Sequence, residues 1–250
     1  MTPFEKFDTN CQSQGLPTAL QDLAGYLIEQ QRFHELFEVR KLQLRERLGL
    51  PIDRWQSIDE LPDEQGQQLE DGLLEICREV GTRLMECGDV VSGWQYLEPV
   101  GDKQVARELL ARTPVTDDNA EAIIQIAIGY GLDPELGFRE VLDRFGTCSS
   151  ITTYESQLAG QPIEVRRGPA RLLVQHLYEE LRTRVAEAVA GHESSPPDGN
   201  ASLRDLIADR DWLFEGLSHH IDTTHLASTI RISRILDDQP GLQLAVQLAE

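Results

Sequence analysis

Positive charge is what this chain has least of relative to its counterpart: 23 lysines and arginines stand against 43 aspartates and glutamates, a formal net charge of −20. A field of that sign repels phosphate backbones and anionic lipid surfaces, so nucleic acid and membranes are set aside as partners. Neutral or basic protein segments and cations remain, and the plainest role of the acidity is solubility. Long apolar runs are missing as well: no stretch approaches the roughly 18 consecutive apolar residues of a membrane span. The N-terminus, MTPFEKFDTNCQSQGLP, lacks a basic start followed by an apolar core, so it does not read as a secretory signal. Cysteines are few, at positions 11, 77, 87 and 148, and none forms a CxxC pair. Cys77 and Cys87 fall on one helical stretch, about 15 Å apart along its axis, beyond the reach of a disulfide. Free thiols in a reducing cytoplasm follow from this. Signatures of nucleotide binding and common catalysis are absent too: there is no GxxxxGKS/T, no GxGxxG after a strand, no GxSxG and no HExxH. No cofactor is implied.

With 40% hydrophobic and 26% charged residues over 250 positions, the chain can bury a core as one domain or two. Its apolar spacing is helical nearly throughout. After Pro17 a helix carries Leu20, Leu23 and Leu27, and a second holds Phe33, Leu36, Phe37, Leu44 and Leu48 before Gly49-Leu50-Pro51 stops it. SIDE at 57–60 has capping-box spacing, and Pro62 keeps any helix there short. The clearest helix runs from about Glu64 to Cys87, closed by Gly88-Asp89, with a shorter partner around Val91–Pro99. Further helices lie at Lys103–Arg112 and Asn119–Tyr130. Asp133-Pro134-Glu135 is a helix start, with an N-cap carboxylate, proline at the first position and an acid for the dipole; Gly146 ends that helix. The segment 147–165, rich in Thr, Ser and β-branched residues, is left open between a loop, a short strand pair and a broken helix. A long helix is expected from Pro169 to about Ala190, and GHESSPPDGNA at 191–201 reads as a flexible loop or linker. Ser202 then caps a helix running through Leu213, Phe214 and Leu217.

One helix–turn–helix phrase recurs, at Leu20–Leu36, Cys77–Gly93 and Thr229–Ala245, each with an apolar residue at its fourth, eighth and fourteenth places. The phrase resembles the tetratricopeptide repeat, whose period is about 34 residues. The matching residues are Leu20, Leu23, Ala24, Leu27, Phe33 and Leu36; then Val80, Gly81, Leu84, Val90 and Gly93; then Ile232, Ser233, Leu236, Leu242 and Ala245. The chain departs from the pattern where Leu36 occupies a small-residue place and where the copies sit 57 and 152 residues apart. Through RLGLP at 47–51, GTCSSITTYES at 146–156 and ADRDWLFEGLSHHIDTTHLAS at 208–228 it also resembles tetratricopeptide-like proteins common in planctomycete bacteria, a family without an assigned biochemical activity. The resemblance implies an all-α, irregular α-solenoid of antiparallel helix hairpins: an array over 1–190, a linker at 191–201 and hairpins continuing the array over 202–250. The uncapped apolar pattern at Glu250 is read as an array that continues beyond it. The implied function is a non-catalytic scaffold that binds a protein or peptide segment in a groove. Tyr26, Gln30, Arg83, Arg231 and Arg234 are the candidate groove contacts.

The densest chemical cluster is SHHIDTTHL, with His219, His220, Asp222 and His225. Imidazole and carboxylate together suit zinc, iron or manganese, and a metal- or ligand-binding protein, even an enzyme, is the alternative reading. Against it, Asp222-Thr223-Thr224 reads as a turn and N-cap. Cys148, just past a helix end, lacks the surroundings that would activate a nucleophile, and His176 reads as a packed residue. Arg166, Arg167 and Arg171 are a basic spot that serves either an anion or the chain's own carboxylates, the latter favoured. Trp55, Trp94 and Trp212 serve as core or groove anchors. A bound metal predicts stoichiometric zinc, iron or manganese by elemental analysis of the purified protein, lost to chelator together with a lowered Tm. Purified protein that carries no metal, together with an unchanged Tm in a His220→Ala, His225→Ala variant, would exclude it.

Overall fold

The computed structural model of the chain describes residues 2–54, 58–193, 196–214 and 222–250 and divides it into two compact units, Met1–Ala122 and Ile123–Glu250. Among the described residues every regular element is helical, as the spacing of apolar residues requires. None of these helices is long and apolar enough to cross a membrane.

The first unit holds α1 (Pro3–Gln14), α2 (Leu16–Glu29), α3 (Phe33–Arg47), α4 (Asp63–Glu86), α5 (Val90–Leu97) and α6 (Lys103–Arg112), and α7 (Ala120–Ile124) runs on into the second. α1 is a helix that the apolar pattern alone does not announce. It forms because Thr2 accepts from the Glu5 amide at 3.2 Å while the Glu5 carboxylate accepts from the Thr2 amide at 2.9 Å, with Pro3 in the first turn. The core is built where α2, α3 and α4 meet, from Leu20, Ala24, Leu27, Leu36, Val39, Leu69, Ile76 and Val80. Full burial of each such leucine or valine contributes roughly 1.5–3 kcal/mol. α4 and α5 lie backbone to backbone. A Cβ on Gly81 would stand 2.7 Å from Leu97 Cγ and 2.9 Å from the Gly93 carbonyl oxygen, and one on Gly93 would meet the Met85 amide nitrogen at 2.9 Å. Two of the three recurring phrases each span two consecutive helices of this unit that contact one another, α2 with α3 and α4 with α5.

The second unit holds α8 (Pro134–Thr153), α9 (Ile163–His192), α10 (Leu203–Ile207), α11 (Thr223–Ser233) and α12 (Gln239–Ala249). α11 and α12, the two helices spanned by the third phrase, contact one another. Asp133 opens α8 as its sequence indicates, its carboxylate accepting from the Leu136 amide at 3.1 Å. Gly146, at φ 71°, ψ −174°, ends the first part of α8. The segment beyond it, open between three readings, is a broken helix: it turns helical again to Thr153, passes through a π-helical turn at Tyr154–Leu158 and enters α9. α9 starts at Ile163, six residues before the expected Pro169, which lies buried inside it. The local cost is one backbone hydrogen bond, since Pro169 has no N–H for the carbonyl of Val165.

α9 is the axis of this unit. α8, α10, α11 and α12 all pack on it, through Leu173, Val174, Leu177, Tyr178, Val185 and Val189. The Tyr178 hydroxyl accepts from the Leu203 amide at 3.1 Å and donates to Gln247 Oε1 at 3.2 Å, tying α10 and α12 to α9. Within the 191–201 stretch, α9 continues to His192 and the Ala201 amide closes a turn on the Asp198 carbonyl. Ser202 and Asp205 form the capping box of α10. That helix stops at Ile207 and does not run to Leu217 as expected. Asp209 adopts a left-handed conformation (φ 59°), and the Arg210 guanidinium covers the carbonyls of Asp205 and Leu206 at 3.1 and 3.0 Å, where a helix would need continuing amides.

The close contact of α4 and α5 has a measurable consequence. Gly81→Ala gains helix propensity but drives a methyl into a carbonyl that cannot move away, so it destabilises by about 1–3 kcal/mol. Gly25→Ala, on α2 with nothing within 4 Å of the added carbon, stabilises by up to about 1 kcal/mol. Paired denaturant melts of the two variants check the opposite signs.

Candidate functional site

A broad concave surface of the first unit lies over α2, α3 and α4. Its floor is apolar because the inward stripes of three amphipathic helices converge there: Leu20, Leu44 and Ile76 are nearly inaccessible. α3 and α4 approach closely at Gly72, where a Cβ would fall 2.5 Å from a Leu44 methyl. Above this floor is an open cleft of about 480 Å³.

The rim is charged. Arg40 of α3 holds Glu79 of α4 with two bonds of 2.9 Å, one from Nε and one from Nη2, and its Nη1 donates to Gln43 Oε1 at 2.9 Å. Gln43 donates on to Gln21 of α2 at 3.2 Å, so the three helices are linked by one polar chain. Arg83 reaches Glu79 from one turn along α4 at 3.4 Å. Glu46, Arg47 and Glu75 complete the rim and make no ion pair among the described residues. Pairing across 39 residues leaves no periodic trace, which is why the Arg40–Glu79 clamp is not legible in the sequence.

A second cluster, also invisible to spacing, joins His34, Phe37 and Lys41 of α3 to Cys77 of α4 and Tyr96 of α5. His34 Nδ1 and the Tyr96 hydroxyl are 3.1 Å apart, Phe37 packs on Tyr96 at 5.0 Å, and the Lys41 ammonium sits 4.9 Å over the Phe37 ring. Burial pushes the Cys77 thiol up despite the nearby Lys41 charge. The Tyr96 phenol is raised by burial first, then by Cys77 and Glu38. Both groups thus stay protonated and uncharged at neutral pH, the state of packed side chains and not of nucleophiles.

The residues singled out in the sequence are dispersed. Tyr26 lines a separate pocket of about 220 Å³ between α1 and α2, beside Lys6, Phe7, Asn10 and Asp22. Gln30 is exposed at the C-cap of α2, and Arg83 borders the cleft through Glu79. Arg231 on α11 and Arg234 at its C-cap belong to the other unit, where Arg231 pairs with Glu155. His219 and His220 lie outside the described residues, as does Trp55. Asp222 caps α11, accepting from the Thr224 amide at 2.8 Å and hydroxyl at 2.6 Å. The Thr224 hydroxyl and amide hold its carboxyl below the usual range, and His225 stands 4.0 Å away. Among the described residues no three His, Cys, Asp or Glu side chains come together as a metal site would require. Cys148 lies just past the end of the first part of α8 at Gly146, as its sequence indicates, and at the same time in the first turn of the helical stretch that continues to Thr153. Trp94 is buried in α5, and Trp212 stacks on His192 with ring centroids 4.0 Å apart.

The basic spot meets the chain's own acids. Arg166 donates to the Ala159 carbonyl, Arg167 pairs with Asp237 at 3.0 Å, and Arg171 holds Asp238 at 3.0 Å. Asp238 also caps α12 through the Gly241 amide at 2.9 Å. The Arg171 hydrogen bond, then the Gly241 amide, depress the Asp238 carboxyl below its ordinary value. A depressed folded value means that the stabilisation is present above the unfolded pKa and is lost as pH falls through the folded one. Asp238→Asn keeps a capping side chain but removes the charge. The stability difference from wild type is expected to be a few tenths to about 1 kcal/mol above about pH 5, because the pair is partly exposed, and to shrink below about pH 4. Urea melts from pH 3 to pH 7 measure it.

No protein-family model, curated protein or solved structure matches the chain, so its function is argued from its own residues.

Proposed function

We propose that the chain is a non-catalytic helical scaffold, a tetratricopeptide-like array of helix hairpins, whose α2–α4 cleft receives a segment of a partner protein. The observation that carries this reading is the cleft itself: an apolar floor of Leu20, Leu44 and Ile76 under a rim where Glu46 and Glu75 make no ion pair among the described residues. Such a surface suits an amphipathic segment whose apolar side chains cover the floor and whose lysines or arginines meet the two carboxylates. The Arg40–Glu79 clamp, already satisfied bidentately, acts as a rigid wall of the cleft. Arg47 leaves room for one acid in an otherwise neutral or basic segment. The net charge of −20 adds long-range attraction for such a partner, screened within about 8–10 Å at physiological salt.

Selection from a random peptide-display library tests the proposal. The expected winners are amphipathic and basic, and they bind less tightly as salt rises. Glu46→Arg with Glu75→Arg, two exposed positions whose change leaves the fold's Tm in place, should weaken them at least tenfold, equivalent to about 1.4 kcal/mol. A library that enriches nothing, or winners indifferent to both substitutions, would remove the cleft from consideration.

A further inference from the structure

α12 is solvated unlike the other long helices of this acidic chain. Its eleven residues, Gln239–Ala249, contain no charged side chain, although 26% of the chain is charged. One face is buried through Gly241, Ala245 and Leu248. The other exposes Leu242 at 41% and Val246 at 51%, one turn apart, with Gln239 and Gln243 beside them. A surface helix ordinarily turns a charged or strongly polar face to water, whereas a helix apolar on both faces is suited to being covered. Beside the Leu242–Val246 ridge runs a cleft of about 520 Å³, lined by the glutamines and bounded by Asp237 at the start of α12 and by Arg204 at its end. Arg204 is placed there by its ion pair with Glu250.

We propose that this face is a two-fold interface between two copies of the chain, with their α12 helices antiparallel. The patch is self-complementary. Antiparallel pairing brings Asp237 of each copy to Arg204 of the other, opposes the two helix dipoles and lets each apolar ridge enter the cleft beside its counterpart. Arg204 and Asp237 keep their internal partners, Glu250 and Arg167, but their side chains are 62% and 59% exposed and open to a second contact. Two copies that each carry −20 repel one another. They can meet only where local charge is absent or balanced, and here the helix is uncharged and each end holds a balanced pair, Arg204 with Glu250 and Asp237 with Arg167. A basic partner has no corresponding reason to choose it. A helix of this length, about 16 Å, buries less than the roughly 1,200 Å² of a standard interface, so the dimer is weak and forms in the micromolar range.

Sedimentation equilibrium of the full chain, from about 1 to 500 µM at low and moderate salt, tests this. The expected result is a monomer–dimer equilibrium that shifts toward dimer as salt screens the repulsion between copies. Leu242→Gln with Val246→Gln should weaken association at least tenfold without lowering Tm. Arg204→Asp or Asp237→Arg alone should weaken it, and the two together should restore it, a rescue that only self-pairing produces. A chain that stays monomeric throughout, a dimer indifferent to the Leu242 and Val246 changes, or a charge exchange without rescue would each overturn the proposal.

Discussion

Close packing against helix positions without a side chain is the constraint on which both units rest. At Gly81 and Gly93 the backbones of α4 and α5 touch, and at Gly72 a leucine of α3 occupies the space that a Cβ would take on α4. In the second unit the Glu135 carboxylate of α8 lies where a Cβ of Gly168 on α9 would point. Short interhelical distances let small amphipathic helices bury their apolar stripes completely, which is how Leu36, Val80, Leu173 and Leu177 become inaccessible in a chain with few aromatic residues. Such packing is unforgiving of added volume where the neighbour is backbone, as at Gly81 and Gly93.

Polar side chains then fix the freedom that the apolar stripes leave. Arg45, only 2% exposed, donates to the carbonyls of Pro51 and Arg54 at 2.8 and 3.0 Å and holds the chain as it leaves α3. A lysine could not satisfy both carbonyls with the same fork geometry. Tyr178 does the equivalent in the second unit, and Arg171 and Arg167 fasten the α11–α12 turn to α9 through Asp238 and Asp237. The arginines of this acidic chain thus act largely as internal fasteners. Two places depart from that pattern: the cleft rim, where Glu46 and Glu75 make no ion pair among the described residues, and the uncharged face of α12. Both proposals of association rest on them.

Much of the local structure is legible in the sequence. Asp133-Pro134-Glu135, Ser202 and Asp222 cap helices as their side chains demand, and the α6 boundaries follow from spacing alone. The illegible parts have tertiary causes. Pro169 reads as a helix start because its ring and missing N–H suit a first turn, yet packing on four neighbouring helices carries α9 through it. The end of α10 depends on Arg210 reaching back to carbonyls. The candidate site is the least legible part. Arg83 stands out in the sequence, but Arg40, Glu79, Glu46 and Glu75 resemble any solvated helix charge until α3 and α4 are placed side by side.

The helical class, most helix starts and the sign of the protein's field are thus already present in the linear chain, because periodicity, capping and net charge are properties of short segments or of the whole composition. Which charges neutralise one another and which face solvent is settled only on folding. That depends on distances between residues tens of positions apart, such as the 2.9 Å between Arg40 and Glu79, which no local pattern encodes.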